Sequence, residues 1–588
     1  MQNDRSDDTG RDVVLDIATR LKKAEMDRRQ FLLRATAAGL SAPAFAAGLR
    51  VRGVDARVQD AKATLVTVSQ EQQPTWTRNF NPLLADGSSR WPTQAGIYEP
   101  LIIYNTMKGE IAPWLATKYE FSADNKTLTF TIRDGVKWSD GQPFTAKDVL
   151  FTHNLLQKNE ALPGTGGVRS VYPYISDVKA PDDKTVVFTF KQVFTPGLYD
   201  IGEQSIVPEH LWKDVDDPVT FTNENPVGTG PFTEVGRFEA QYWEVHRNPN
   251  YWQEGKPSIE GLRFPAYPSN DAANLATLNG ENDWAANFIP DIDKTYVAKD
   301  PEHYHWWFPS TGATVHLYAN TTRKPFDDPN VRKAISMAIN RDQIVQIAMY
   351  DYTHPSDSTG LSDAYEKWKN AEAAGADWVK MDVDKANEML DAAGLKKDSD
   401  TRSTADGKPM TYDLNVVSGW SDWVQSCEIM AKNLSEVGIK AEVKTYDFAA
   451  WFDRVQKGDF DLSIGWSSSG PTPFNFYRGV MSSTTAKPIG ELGSENWHRF
   501  TSPEADKLLD QFAGTSDEAE QKKIANELQM IYMENAPGIP LFPGPQWGEY
   551  NDTRFTGFPR EEDPYALLST YESPERLFVL TTIKPIGS

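Results

Sequence analysis

The sequence predicts an α/β fold, because segments with strand periodicity alternate with segments that carry helix caps. The clearest case is a run of three elements near the middle of the second half. Ile439–Tyr446 has the composition of a strand, Phe448–Lys457 has helical spacing and ends at Gly458, and Phe460–Trp466 places its apolar side chains on one face of a second strand. A strand, a helix and a strand in this order indicate a parallel crossover. Ligands of open α/β sheets usually bind beside the carboxyl ends of such strands.

The first half of the chain shows the same alternation. Thr127–Arg133 and Thr185–Lys191 alternate apolar and polar residues, as half-buried strands do. Between them, Thr145 and Asp148 have the spacing of a capping box, in which an N-cap hydroxyl and an acid three residues later close the free amides at the start of a helix. A helix that runs from this box through Gln157 is therefore predicted.

Two further helices are predicted from their ends. Asp328 has the chemistry of an N-cap, and Pro329 suits the first helical position, so a helix begins there. Asp384–Ala393 has helical spacing and stops at Gly394, which is typical of a helix C-terminus. The sequence shows no internal repeat, no heptads and no low-complexity segment.

Length and charge narrow the classes of function. A chain of 588 residues has room for roughly three domains of about 100–200 residues each. Its net charge of −23 argues against a nucleic-acid partner, since a polyanion needs a basic face. No run approaches the roughly 18 apolar residues of a membrane span. The single cysteine, Cys427, has helically spaced apolar neighbours and is predicted to be buried and inert, and the isolated pair His303 and His305 predicts no metal site.

The N-terminal segment has the features of an export signal. Arg28 and Arg29 are followed by Phe31 and Leu32, then by a short apolar stretch and an Ala-x-Ala site at 44–46. This pattern resembles a twin-arginine signal, so residues 1–47 are interpreted as an export signal that directs the protein to the periplasm or the outer face of the cell membrane. No cysteine follows the apolar stretch, which argues against a lipid-modified N-terminus. Residues 48–62 are interpreted as a linker.

The stretch Gly465–Met481, "GWSSSGPTPFNFYRGVM", is unusual because it combines four aromatic residues with three serines and contains no carboxylate. The nearest acids in the sequence are Asp461 and Glu491. We interpret the stretch as a loop at the end of the strand Phe460–Trp466, suited to a partner with flat apolar faces and polar edges. Aromatic rings cover such faces, while hydroxyl and amide groups satisfy the edges.

Several segments together resemble the extracellular solute-binding proteins of family 5, which serve ABC importers and whose best-known members bind peptides. They occur in the order of the family over nearly the whole mature chain: Ile97–Asn105, Ile132–Thr152, Asn225–Phe232, His246–Trp252, Asn320–Val345, Asp384–Gly394 and Gly458–Trp466. The resemblance implies a two-lobed periplasmic binding protein (type II, large cluster C) with a hinge and an inserted subdomain. Such a protein works as a monomer without cofactor or metal, closes on its ligand, and delivers it to a membrane permease.

The resemblance also implies domain boundaries. Lobe I is expected at 63–98, 226–315 and 541–588, the inserted subdomain at 99–225, and lobe II at 316–540. Gly228 and Gly230 are expected to be scaffold residues at the crossing between lobes, since glycine mostly marks a demand of the backbone.

The ligand is inferred from what the acid-free stretch lacks. Peptide-binding members commonly hold the ligand's ammonium group with an aspartate in the loop that matches this stretch, and burying an ammonium group without a counter-charge is costly. Trp91–Ala116 and Asn279–Ile292 resemble a subgroup that binds β-linked gluco-oligosaccharides such as cellobiose. We therefore expect a neutral oligosaccharide ligand. The residues expected to contact it are Trp76, Asn81, Trp91, Tyr98, Asn287, Ser310, Trp420, Trp423, Trp466, Ser467, Ser468, Phe474 and Asn475.

Two alternatives stay open. The first is an oligopeptide-binding protein of the same fold, in which an acid from elsewhere in the chain reaches the ligand. The second is a secreted glycosidase, which would need two carboxylates about 5–10 Å apart in an aromatic cleft. With 83 acidic residues such a pair cannot be rejected by counting, although the stretch expected to line the cleft has none.

Overall fold

A computed structural model describes residues 65–70, 72–84, 90–165, 167–397 and 400–587. The predicted export signal at 1–47 and the predicted linker at 48–62 lie outside the described residues. Nothing among the described helices is long and apolar enough to span a bilayer.

The described residues form twenty strands and nine helices of nine or more residues, besides shorter helical turns. The strands are β1 Leu65–Ser69, β2 Ile102–Asn105, β3 Glu110–Pro113, β4 Ala116–Phe121, β5 Thr127–Ile132, β6 Ile175–Asp182, β7 Thr185–Phe190, β8 Phe232–Glu239, β9 Tyr242–Arg247, β10 Gly261–Pro265, β11 Trp284–Ala285, β12 Tyr304–Trp306, β13 Thr314–Ala319, β14 Thr411–Val417, β15 Lys440–Tyr446, β16 Leu462–Trp466, β17 Ile539–Pro543, β18 Glu549–Asn551, β19 Phe555–Thr556 and β20 Lys584–Pro585. The longer helices are α1 Ala146–Lys158, α2 Asn270–Leu278, α3 Pro329–Ala338, α4 Val383–Ala392, α5 Ser421–Glu436, α6 Phe448–Lys457, α7 Pro473–Met481, α8 Pro503–Ala513 and α9 Glu518–Asn535.

Three larger sheets organise these elements. A seven-stranded sheet has the order β12-β18-β11-β1-β10-β9-β8, and β1 runs parallel to β10 and β11. A five-stranded sheet has the order β15-β14-β16-β13-β17, and β14 runs parallel to β15 and β16. A four-stranded antiparallel sheet, β4-β5-β7-β6, is built from residues between β3 and β8. The chain thus forms two mixed α/β sheets with a separate antiparallel sheet inserted in sequence.

The chain passes between the seven-stranded and five-stranded sheets at two segments, 307–313 and 544–548. These two connectors are joined by backbone hydrogen bonds. Gly312 N donates to Gly544 O at 3.1 Å, and Gly544 N donates to Ala313 O at 3.2 Å. A Cβ atom on Gly312 would lie 2.5 Å from the carbonyl oxygen of Gly544, so glycine is needed for this close approach.

The predicted elements are confirmed with boundaries shifted by one or two residues. Helix α1 has the predicted capping box: Lys147 N donates to Thr145 Oγ1, and Asp148 accepts from Thr145 N. Helix α3 begins at Pro329 after the cap Asp328. In the predicted crossover, β15 and β16 are both parallel to β14, and α6 ends at Gly458 in the left-handed conformation.

The interpretation of Gly465–Met481 as one loop is wrong in its second half. Residues Pro473–Met481 form helix α7, with Pro473 at its start, and all nine residues are buried. The serines and prolines before residue 473 indicate a turn correctly, but Pro473 serves as a helix start rather than a break. The aromatic residues of α7 are therefore core residues, whereas Ser467–Thr472 remain without helix or strand beyond the end of β16.

Two other predictions about single residues hold. Cys427 lies in α5 with no exposed surface, and burial raises the pKa of its thiol, which agrees with an inert cysteine. A Cβ atom on Gly228 would lie 1.9 Å from the carbonyl oxygen of Ile97, so Gly228 is required where two backbone segments touch.

Buried carboxyl groups make stability depend on pH. Burial raises the pKa of Glu203 to about 8, and those of Glu99 and Glu575 to about 7. A carboxyl whose pKa is raised in the folded state contributes stability that is complete below its unfolded value and is lost as pH rises through the folded value.

We therefore expect the free energy of unfolding to fall by roughly 2–4 kcal/mol between about pH 6.5 and 8.5, at about 1.4 kcal/mol per pH unit for each group still titrating. Urea unfolding across this range measures the slope. Glu203→Gln keeps the size of the side chain but removes its titration, so the slope should become clearly shallower in this variant. An equally steep profile in the variant would contradict the assignment.

Candidate ligand-binding cleft

The carboxyl ends of parallel strands from both larger sheets face one another across what we call the cleft. On the seven-stranded side, β1 is followed by Gln70 and Gln72, and β11 is followed by Asn287. On the five-stranded side, β14 is followed by Trp420 and β16 ends at Trp466. Ligands of α/β sheets bind at such strand ends, so this is the position expected for a site.

Several contacts join the two sides of the cleft. Asn270 N donates to Gly419 O at 2.9 Å, and Asn270 Nδ2 donates to Ser421 Oγ at 3.1 Å. The ring centroids of Trp91 and Phe448 are 5.5 Å apart. The two sheets are therefore in contact at the rim of the cleft in this structure.

The seven-stranded side of the cleft is polar and is organised around Asn287. Its Oδ1 accepts hydrogen bonds from Ser69 Oγ at 2.9 Å and from Gln72 Nε2 at 3.3 Å. Its Nδ2 donates to Thr277 Oγ1 at 3.0 Å, and its backbone N donates to Glu549 Oε2 at 3.1 Å. Asn287 has no exposed surface. Its side chain is thus held by the protein and fixes the arrangement of its neighbours.

The five-stranded side of the cleft is apolar and carries an aromatic cluster. Its members come from the ends of β14 and β16, from helices α5 and α6, and from a later loop; they are Trp420, Trp423, Phe448, Trp451, Phe452, Trp466 and Trp497. The half-buried ring of Trp466 lies 5.1 Å from that of Trp497 and 5.3 Å from that of Trp451, measured between centroids. This cluster offers an indole surface at the end of β16.

A small pocket lies beside Trp466 and Ser468, and a carboxylate is among its lining groups. Glu495 lines this pocket and accepts a hydrogen bond from Ser468 Oγ at 3.0 Å. The absence of acids within Gly465–Met481 therefore does not make its surroundings acid-free. Glu495 follows Ser468 by 27 residues, and only the fold brings the two together.

Glu495 also belongs to a buried charge network. Arg478 Nη1 lies 2.6 Å from Asp200 Oδ2, and Arg478 Nη2 lies 3.0 Å from Glu495 Oε1. Asn475 Nδ2 donates to Asp200 Oδ1 at 3.1 Å. Burial raises the pKa of Asp200 to about 6, although the neighbouring guanidinium opposes this shift. Asp200 lies between β7 and β8, so this network ties that part of the chain to α7.

The structure brings part of the predicted contact set together at the cleft. Four of its members lie at the strand ends of the cleft: Trp420, Trp423, Trp466 and Asn287. Trp91 also lies there, because its ring contacts that of Phe448. Ser467 and Ser468 line the pocket beside Trp466. Sequence reasoning did not select Gln70, Gln72, Phe448, Glu495 or Glu549, because no motif marks these residues.

Other predicted contact residues have structural partners away from the cleft, which corrects their placement. Trp76 packs on Trp243 and Phe264 at 6.3 and 6.5 Å between ring centroids. Asn81 Nδ2 donates to the carbonyl oxygens of two residues in the segment before β8, which closes a loop. Tyr98 OH donates to Phe80 O at 3.1 Å. Asn81 and Tyr98 thus satisfy backbone carbonyl groups of the protein, and the ring of Trp76 packs in the core.

Three further predicted residues also lie elsewhere. Phe474 belongs to α7 and packs on Phe194 and Phe512 rather than standing in a loop. Asn475 is engaged with Asp200 in the charge network. Ser310 lies half-buried in the connector between β12 and β13.

Metal chemistry finds no support in the described part of the chain, where no group of three or more His, Cys, Asp or Glu side chains is placed to hold an ion. His303 and His305 both approach Asp552, at 2.8 and 3.4 Å.

Comparison with known proteins agrees with this geometry. Residues 110–488 match the family model described as "Bacterial extracellular solute-binding proteins, family 5 Middle". A putative ABC transporter peptide-binding protein of Brucella ovis is 29% identical over 447 residues, covering 74% of this chain and 78% of that protein. The dipeptide-binding protein of Escherichia coli (strain K12) is 25% identical over 490 residues, covering 78% of this chain and 86% of that protein.

One solved structure extends the comparison to three dimensions. A mannohexaose-bound periplasmic oligopeptide-binding protein of an oligopeptide ABC transporter from Thermotoga maritima has a TM-score of 0.81 and 26% identity, covering 89% of this chain and 99% of that one. The predicted two-lobed binding-protein fold is confirmed by this match.

Proposed function

Because the chain belongs to the bacterial extracellular solute-binding proteins of family 5, we propose that its cleft captures a short peptide for an ABC importer. Membership makes the chain an extracytoplasmic substrate-binding protein of an ABC transporter, with a small-molecule ligand and permease subunits as partners. The peptide class is the proposal. It replaces the oligosaccharide that the acid-free stretch favoured.

The observation that carries the proposal is the presence of buried carboxylates at the cleft. The argument against peptides was that an ammonium group would lack a counter-charge. Glu495 stands beside Ser468 in the pocket, and Glu549 stands beside Asn287 on the other side of the cleft. Acids therefore lie at the cleft although Gly465–Met481 has none, which weakens the objection. The peptide-binding relatives from Brucella ovis and Escherichia coli support the same class.

The mechanism proposed is closure of two lobes around the cargo. Contacts such as Asn270–Gly419 and Trp91–Phe448 join the two sides at the rim, so a peptide of several residues enters when they part. A ligand that contacts both sides binds the closed state more tightly than the open state, and this difference shifts the equilibrium toward closure. No bond of the cargo is broken in this cycle.

A neutral oligosaccharide is the second candidate, and two observations favour it. The aromatic cluster places Trp420 and Trp466 at the cleft, where rings can cover the apolar faces of sugars. The relative from Thermotoga maritima holds mannohexaose. The narrower expectation of a cello-oligosaccharide stays a prediction.

A thermal-shift panel separates these candidates. Tri- to pentapeptides are expected to raise the melting temperature, because a ligand present at about 100 times its dissociation constant adds roughly 2.7 kcal/mol to the native state. Cello- and manno-oligosaccharides at the same concentrations serve as the comparison. Stabilisation by oligosaccharides alone would overturn the peptide proposal and establish the second candidate. The same mixtures, assayed for hydrolysis products, test the remaining glycosidase alternative.

A further inference from the structure

Glu549 is a fully buried acid, and the described residues provide a hydrogen-bond donor to only one of its two carboxyl oxygens. It is the first residue of β18 and pairs with Ala285 of β11. Its Oε2 accepts one hydrogen bond, from Asn287 N at 3.1 Å. Its Oε1 is equally inaccessible and has no hydrogen-bond partner among the described residues. No lysine, arginine or histidine of the described chain forms an ion pair with it.

No other acidic side chain among the described residues has a buried oxygen without a hydrogen-bond partner. Asp200 and Glu495 are paired with Arg478. Glu99 accepts hydrogen bonds from the indoles of Trp114 and Trp252. An ionised carboxylate that is buried without a cation or sufficient donors is costly. Burial accordingly raises the pKa of Glu549 well above its ordinary value, which favours the protonated carboxyl while no cation is near.

The position of Glu549 is at the cleft. Strand β18 runs antiparallel to β11, so its first residue lies at the same edge of the sheet as the end of β11. Its contact, Asn287, is in turn bonded to Ser69 and Gln72 at the end of β1. The unpartnered Oε1 therefore belongs to the group of side chains at the strand ends, not to a remote part of the core.

Neighbouring acceptors show the same deficit of donors. Oε1 of Gln70, the residue after β1, is buried and has no partner among the described residues. Oε1 of Gln546, in the connector that leads into β18, is in the same state. An ammonium group offers three N–H donors and a positive charge, so it can supply the donor that the buried Glu549 Oε1 lacks.

We propose that Glu549 is the anchor for a primary ammonium group of the cargo. The assignment rests on the proposed peptide-binding function and deepens it by naming the group that is recognised. The α-ammonium of a peptide and the ε-ammonium of a lysine side chain share this chemistry. As the charged ammonium arrives, the Glu549 carboxyl gives its proton to solvent, and a neutral pair of opposite charges remains in the cleft.

The test is a calorimetric cycle on the whole protein. The probes are a lysine-free tetrapeptide, its N-acetylated form, and an N-acetylated tetrapeptide that contains one lysine. The wild type is expected to bind the free peptide at least about 30-fold more tightly than the acetylated form, which corresponds to losing a buried charge-assisted contact. Glu549→Gln should weaken the free peptide by a similar factor and make acetylation nearly without effect. Retention of affinity by the acetylated lysine peptide would assign the ε-ammonium as the group bound.

Glu575→Gln is the matched control, since Glu575 is also a buried carboxyl but accepts from the backbone amides of Thr106 and Leu567. It should keep the full effect of acetylation. If Glu549→Gln keeps that effect while peptides still bind, the anchor assignment is wrong and the proposed function stands. If Glu495→Gln abolishes it instead, Glu495 is the anchor. If no peptide binds the wild type, the proposed function fails first.

A second measurement needs no variant, in case Glu549→Gln does not fold. Peptide binding to the wild type, followed near pH 6 in two buffers of different ionisation enthalpy, should release protons, because an ammonium group remains charged there while Glu549 deprotonates. The phenols of Tyr296 and Tyr352, which interact electrostatically with Glu549, remain protonated at this pH. Binding without proton release would contradict the assignment.

Discussion

Arg478→Met is expected to lower the free energy of unfolding by about 3–5 kcal/mol, because it leaves two buried carboxylates without their cation. The side chains of Arg478, Asp200 and Glu495 are 5%, 0% and 12% exposed. Methionine keeps much of the volume of the arginine stem, so the loss measures charge more than packing. Urea unfolding followed by tryptophan fluorescence gives the value directly.

An exposed pair provides the control for this measurement. Arg454 contacts Asp459, and their side chains are 38% and 57% exposed. Arg454→Met should cost no more than about 1 kcal/mol, as is usual for surface ion pairs. The Arg478→Met loss should also shrink as the pH is lowered below about 6, because Asp200 then takes up a proton and no longer needs a cation. Equal losses at the two sites would show that the Arg478 network contributes no more than a surface pair.

Trp466→Ala is expected to weaken ligand binding by about 2–4 kcal/mol, or roughly 30- to 1,000-fold, as for other central aromatic anchors. The same variant should lose about 2–4 kcal/mol of stability, because its ring also packs within the aromatic cluster. Trp466 is thus expected both to contact the ligand and to stabilise the aromatic cluster. Titration calorimetry and unfolding of the free protein measure the two effects separately.

Trp451 offers the comparison for Trp466. It packs against Trp466 but has no exposed surface, and its indole Nε1 donates to Ser463 Oγ at 3.1 Å. Trp451→Ala should therefore lower stability without a comparable loss of affinity, measured at a temperature where both variants are folded. Wild-type affinity in a destabilised Trp466→Ala protein would assign Trp466 to the core alone.

The fold was predictable where local signals and tertiary structure agree. The crossover through α6 could be read from strand periodicity and from Gly458, since a left-handed cap requires a residue such as glycine. The capping box at Thr145 was likewise a local signal that the structure confirms. Helix α7 was missed because its first turn contains Pro473 and follows three serines, a composition that is typical of a loop. In the structure all nine of its residues are buried, and the segment is helical.

The candidate site was predictable only in part, and the reason is physical. Trp466 is the last residue of one strand and Asn287 follows the end of another, and strand ends can be located from the sequence. Glu495 and Glu549 lie far along the chain from the residues they accompany, in segments without a motif, and only the tertiary fold places them. The acid-free stretch was therefore an incomplete guide to the charge of the cleft, because acids that are distant in the sequence lie beside it in the fold.

The paired connectors 307–313 and 544–548 have a consequence for how the two lobes move. A single covalent link would let one lobe twist and slide against the other as well as bend. Here Trp307 N donates to Gly548 O at 2.9 Å and Gln546 N donates to Pro309 O at 3.0 Å, in addition to the bonds at Gly312 and Gly544. Two strands bonded in this way form a ribbon, and a ribbon resists torsion and sliding more than flexure. In the proposed closure, such a ribbon would return Asn287 and the aromatic cluster to the same alignment each time, whether or not cargo is present to guide them.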